Sequence, residues 1–176
     1  VLAYASVAVF ADPDRVDLDD LEARLGAIAP TAEGEATGRV VRVPVLYDGE
    51  DLGDVADRLS LTRERVIALH SGRTYRVQAV GFLPGFAYCG DLPDELAGLA
   101  RRPSPRPRVP AGSVAIVGRQ TGIYPTESPG GWHLIGRTPC RVADPGRGEF
   151  PIAAGDRVVF VPVDSSEYRR MEGESL

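Results

Sequence analysis

From Thr74 to Val163 the chain runs in short apolar stretches broken by glycine and proline. The apolar runs are Val114 to Val117, Trp132 to Ile135 and Val158 to Val163, and an alternating segment, Tyr75, Val77 and Ala79, precedes them. Short strands separated by turns at close intervals build barrels and sandwiches, because each strand can bury only one set of alternate side chains. This half of the chain is therefore read as a β-barrel.

The half before it is patterned differently. Val7 and Val9 mark a strand over Ala3 to Phe10, ended by the turn Asp12-Pro13-Asp14. Asp17 caps a helix running to about Ala29, with Leu18, Leu21, Leu25 and Ile28 on one stripe. Thr31 to Gly38 reads as a polar loop. Val41, Val43 and Val45 form a half-exposed strand that Pro44 directs to a sheet edge. Leu52, Val55, Ala56 and Leu59 line one short helix. Thr62 caps a second, which ends at Gly72. The expected architecture is α+β: a small N-terminal α/β domain over 1–73, a barrel domain over 74–165, and a polar, frayed tail over 166–176.

Composition removes several chemistries from a chain of 176 residues. All 20 basic residues are arginine; there is no lysine and no asparagine. The chain cannot itself carry biotin, form a lysine Schiff base, or complete a phosphate loop ending in Gly-Lys. Two histidines and no Cys-x-x-Cys pair argue against a metal site. No apolar run approaches the ~20 residues of a membrane span, and no signal peptide is visible, so the expected compartment is the cytoplasm. The start at Val1 rather than Met is read as a processed or trimmed end.

The net charge of −5 is unevenly spread. Residues 11–60 carry 13 acidic residues against 5 arginines, whereas residues 61–148 carry 12 arginines against 6 acidic residues. An anionic ligand or an acidic partner surface belongs with the second segment. Nucleic acid does not fit. Leu52 to Gly72 has helix-turn-helix spacing, but Asp51, Asp54 and Asp57 would repel phosphate, and the pI is about 5.1.

Four stretches concentrate glycine, proline and aromatics: Gly81 to Tyr88, Pro105 to Ser113, Gly118 to Pro125, and Ser128 to Pro139. Rigid loops holding Phe82, Phe86, Tyr88, Tyr124 and Trp132 supply flat apolar walls, and Pro84, Gly85, Gly130 and Gly131 are expected to contact the substrate with them. Ser113, Gln120, Thr121 and Thr138 supply oriented hydrogen bonds. Arg106, Arg108 and Arg137 supply anchors for a carboxylate or phosphate. Apolar walls with few polar groups make a small-molecule pocket. His70, near a helix C-terminus, is a weak candidate for a general base. Cys89 has no base near it in sequence, and neither it nor His133 is assigned a catalytic role.

In order and spacing these stretches resemble the allophanate hydrolase subunit 1 family, also called the KipI family or the family of the 5-oxoprolinase B component, whose fold comprises carboxyltransferase subdomains C and D. Gly81 to Tyr88 is similar to G-F-x-P-G-F-x-Y, Val109 to Ser113 to V-P-A-G-S, Gln120 to Pro125 to Q-T-G-I-Y-P, and Ser128 to Pro139 to S-P-G-G-W-x-L-I-G-R-T-P. The resemblance implies a small N-terminal α/β domain, shortened here, and a cyclophilin-like β-barrel. It implies a subunit of an ATP-dependent amidohydrolase that opens 5-oxo-L-proline to L-glutamate beside a subunit 2 or C type partner, the chain alone being inactive. Two alternatives come with it. One is the carboxyltransferase subunit of a biotin-dependent urea carboxylase, with biotin on a partner. The other is a KipI-like inhibitor of a sensor histidine kinase.

Overall fold

The computed structural model describes residues 8–28 and 38–176. Nine strands are present among them: β1 (Val40–Val45), β2 (Thr74–Val80), β3 (Ala87–Gly90), β4 (Arg106–Val109), β5 (Ser113–Val117), β6 (Gln120–Ile123), β7 (Ser128–Gly130), β8 (His133–Arg137) and β9 (Arg157–Pro162). The helices are α1 (Leu18–Gly26), α2 (Leu52–Arg58), α3 (Arg63–Ser71) and α4 (Ser165–Arg170).

Seven strands form one sheet in the order β1-β9-β2-β3-β6-β5-β8, and β4 pairs with β7 in a separate two-stranded ribbon. The β1–β9 pair is parallel and the other named strand pairs are antiparallel. The sheet curls until its ends meet. Leu46, just past β1, exchanges two backbone hydrogen bonds with Arg137 at the end of β8, both 2.9 Å. The α+β class with a nearly closed barrel-like sheet is thus the observed one.

Strand alternation sends one set of side chains into the barrel. Val43, Val45, Tyr75, Val77, Cys89, Val114, Ile116, Ile123, Ile135, Val158 and Phe160 pack there with Leu52, Val55, Ala56 and Val66 from α2 and α3. Thr62 caps α3 as its sequence position predicts, accepting from the Arg65 amide at 3.1 Å.

The expected boundary near residue 73 cuts through this core. β1, α2 and α3 lie on its N-terminal side, yet β1 is a strand of the barrel sheet and both helices supply core residues. The physical reason is the parallel pairing of β1 with β9, which joins segments more than a hundred residues apart. Pro44 sits, as predicted, on the terminal strand of the sheet, where its missing N–H is tolerated.

Two expectations at the ends change. Residues 3–7 of the predicted first strand lie outside the described residues, and residues 8–10 are not in a strand. The loop expected over Thr31 to Gly38 lies, apart from Gly38, outside them as well. α1 forms with Asp17 as its cap, but Leu18, Leu25 and Ile28 remain exposed. The tail is not frayed. Asp164 and Glu167 form a reciprocal capping box that starts α4. Beyond it, the Gly173 amide donates to the Pro139 carbonyl at 3.0 Å and the Arg141 amide to the Glu174 carbonyl at 2.7 Å. Among the described residues no helix is long and apolar enough to cross a membrane.

Candidate functional site

β5 is buried on both faces. Val114 and Ile116 face the barrel core, while Ala115 and Val117 join a second cluster with Phe86, Val109, Tyr124, Trp132 and Leu134. The same alternation operates on β3 and β6. Ala87, Cys89, Thr121 and Ile123 turn inward, and Phe86, Tyr88 and Tyr124 turn outward. The outward rings pack edge to face. Phe86 lies 5.4 Å from Trp132 and 5.2 Å from Tyr124 between centroids, and Tyr88 lies 5.8 Å from Trp132. Offset and perpendicular contacts of this kind satisfy the ring quadrupoles.

These rings wall a cleft of about 280 Å³. Phe82, Phe86, Tyr88, Tyr124, Gly130, Gly131 and Trp132, all named from the sequence, line it together with Arg101, Arg102, Pro105 and Pro129. The motif chemistry explains its rim. The Leu83 amide donates to the Gly81 carbonyl at 2.8 Å with Phe82 at φ 68°, a γ-turn with positive φ. The Phe86 amide donates to the Leu83 carbonyl at 3.0 Å across Pro84 and Gly85, with Gly85 at φ 86°. Proline at the second position and glycine at the third are what a type II turn requires. Pro84 and Gly85 therefore shape the loop and do not line the cleft; Phe82 stands 64% exposed at its mouth. Gly130 is glycine for a different reason: a side chain there would collide with the Tyr124 hydroxyl.

The arginines are placed otherwise than expected. Arg106 bonds Asp51 at 2.7 Å and Glu50 at 2.6 Å. Arg108 is exposed and pairs with Glu127 at 3.3 Å. Arg137 pairs with Asp48 at 2.7 Å and stacks on the Tyr168 ring, away from the cleft. Asp51, almost wholly buried, gathers Arg102 (2.8 Å), Arg106 and the Leu134 amide (2.7 Å). Arg101 was not singled out from the sequence. It borders the cleft, is exposed, and pairs with no carboxylate among the described residues. Its charge opposes the effect of burial, which raises the Tyr88 and Tyr124 phenols.

Several sequence candidates lie elsewhere. Ser113 donates to the Pro110 carbonyl at 2.8 Å. Thr138 accepts from the Cys140 amide at 3.3 Å. Gln120 opens β6 opposite Gly90 and Val117. Thr121 and His70 meet inside the barrel. The Thr121 hydroxyl donates to the Ala115 carbonyl at 3.1 Å, so it accepts from His70 Nε2–H at 2.8 Å. That leaves Nδ1 to accept from the Tyr47 hydroxyl at 2.7 Å. A neutral imidazole with a defined tautomer satisfies all three bonds. Burial holds His70 at a pKa of about 3, and Phe160 packs against it with centroids 4.4 Å apart. With no exposed surface, His70 is a structural group of the core and not a base facing a ligand. Cys89 is likewise enclosed, its thiol pushed up to about 12 by burial.

The nearly closed barrel-like sheet, the helices α2 and α3 packed on its core and the outer aromatic cleft together define a mixed α/β module. Residues 1–153 match the family of the carboxyltransferase domain, subdomain C and D, and the chain belongs to that family. It is 43% identical over 162 residues to the B component of 5-oxoprolinase from Bacillus subtilis, a match covering 89% of this chain and 65% of that protein. Among solved structures it resembles a conserved uncharacterized protein, PH0987, from Pyrococcus horikoshii (42% identity, TM-score 0.70, 89% of this chain and 74% of that one). It also resembles TTHA0988 (46% identity, TM-score 0.69), with 88% of this chain matched to 30% of that one. The urea amidolyase of K. lactis, at 19% identity and TM-score 0.59 over 76% of this chain and 10% of that one, shares the fold.

Proposed function

We propose that this chain is part of a 5-oxoprolinase component, and that its aromatic cleft receives the lactam ring of 5-oxo-L-proline. The observation that carries the reading is the cleft itself. It is built by the Gly-, Pro- and aromatic-rich stretches and sits in a chain 43% identical to the B component of a 5-oxoprolinase. Its flat walls suit a small planar amide ring.

The lining also supports a division of labour with a partner. The ionisable groups along the cleft are two phenols, raised by burial, and two arginines. Neither type removes a proton at neutral pH. The cleft binds and orients, and proton transfer falls to groups on a subunit 2 or C type partner. ATP handling falls there too. What supports this is that the chain has no lysine to complete a phosphate loop. In this scheme the partner activates the lactam carbonyl with ATP, and water then opens the C–N bond.

Reconstitution tests the reading. The chain alone should release no glutamate from 5-oxoproline, and adding the partner subunits with ATP should restore release of glutamate, ADP and phosphate. Equal turnover by the partners without this chain would overturn it, as would turnover by the chain alone.

A further inference from the structure

The cleft carries one cation that the fold has not already used. Arg102 and Arg106 face Asp51 and Glu50, two charges against two, at 2.6–2.8 Å. Arg101 sits beside that balanced group, borders the same cleft and has no carboxylate partner among the described residues. An unpaired guanidinium next to apolar rings is a strong site for a carboxylate. The rings exclude water from one side, and the planar fork matches two carboxylate oxygens.

Its backbone is held on both sides. The carbonyl of Ala100, the preceding residue, accepts from His133 Nε2 at 2.9 Å. The amide of Arg102, the following residue, donates to the Gly131 carbonyl at 2.8 Å. Gly131 and His133 flank Trp132, which forms the cleft wall. The backbone at Arg101 is thereby tied to the aromatic wall, so that the side chain is what a ligand has to order.

We propose that Arg101 anchors the carboxylate of the ligand in the aromatic cleft, so that the cleft selects a small flat ring bearing one carboxylate over the neutral amide of the same shape. This deepens the proposed function and rests on it for 5-oxoproline as the ligand. Arg106, Arg108 and Arg137 are already neutralised by Asp51 and Glu50, Glu127 and Asp48.

Trp132 is the chain's single tryptophan, so its fluorescence reports on the cleft wall directly. The chain, Arg101→Gln and Arg119→Gln are titrated with two acid–amide pairs: 5-oxoproline with 5-oxoprolinamide, and benzoate with benzamide. Arg119 pairs with Asp94 outside the cleft and serves as the charge control. Unaltered chain and Arg119→Gln should bind an acid about tenfold or more tightly than its amide, the scale of a charge-assisted pair. Arg101→Gln should erase that preference and leave amide binding unchanged. A preference for 5-oxoproline that survives Arg101→Gln overturns the anchor and leaves the proposed function standing. An Arg101-dependent preference for benzoate with no binding of 5-oxoproline upholds the anchor and removes 5-oxoproline as the ligand. No acid preference in the unaltered chain overturns the anchor outright.

Discussion

The two buried clusters of this molecule lie back to back and are built from similar residues, but they treat polarity in opposite ways. Inside the barrel, His70 sits between Tyr47 and Thr121, and the Thr121 hydroxyl donates in turn to the Ala115 carbonyl. Each polar group of that chain has its partner. Outside, around Trp132, aromatic rings of the same kind leave one face open and a guanidinium unpaired beside it. A closed network defines a shape; an open one receives a ligand. The presence of a histidine therefore says less about chemistry here than the presence of an unmatched arginine.

The contrast can be broken from the core side first. Phe160→Ala removes a fully buried ring that packs on His70 and Tyr75. It should lower stability by about 3–5 kcal/mol in chemical denaturation while leaving cleft affinity intact in the folded fraction. Next comes the junction between the clusters. Asp51→Ala leaves Arg102 and Arg106 without their shared carboxylate and should cost about 3 kcal/mol, since one half of a buried ion cluster is then uncompensated. Here the Trp132 emission should shift as well, because Arg102 borders the cleft.

Acid sharpens the comparison further. The folded-state pKa of His70, about 3, lies below the ordinary 6.5, so on acidification the unfolded chain takes up that proton first. The His70 contribution is complete above pH 6.5. It falls by about 1.4 kcal/mol per pH unit as pH drops from there toward 3. Denaturation at pH 7 and pH 5 should differ by about 2 kcal/mol from this residue, and His70→Gln should remove that difference. A base exposed in the cleft would show no such loss. The smallest effect on stability is expected at the rim. Phe82→Gly relieves a positive φ but gives up an edge-to-face contact with Phe86 at 5.6 Å. The two should cancel to within about 1 kcal/mol, while affinity for a cleft ligand falls. A large stability loss would place Phe82 in the core in energetic terms.

Reading the chain alone recovers what is local. The short apolar run Val114 to Val117 and the Thr62 cap each act within a few residues, and each forms the element expected of it, whereas Pro84 and Gly85, expected to contact a substrate, build a turn instead. What escapes is set by distance along the chain. The partners that occupy Arg106 and Arg137 are Asp51 and Asp48, 55 and 89 residues away. β1 belongs to the barrel only through β9. Other misses had a signal within reach. Asp164-Ser165-Ser166-Glu167 is a capping-box sequence, and it announces α4 in a tail that looks merely polar. Thr121 shares the inward face of β6 with Ile123, so the strand period already places it in the core, apart from Tyr124. Arg101 opens the Arg- and Pro-rich run ahead of the second motif, but nothing in composition distinguishes it from Arg106 and Arg108.

Strand β5 is a party wall one residue thick. Ile116 presses into the barrel on one side and Ala115 packs into the aromatic cluster behind the cleft on the other. Packing at native density transmits strain across such a partition, so a change of volume on either face is felt on the other. An occupant of the cleft therefore braces the barrel behind it, and slower hydrogen exchange along β5 would register its arrival without any chemistry taking place. The same thinness limits how such a cleft can diversify. The buried rings Phe86, Tyr124 and Trp132 that wall it are committed to the fold, and new specificity has to come from the turns and arginines around its edge.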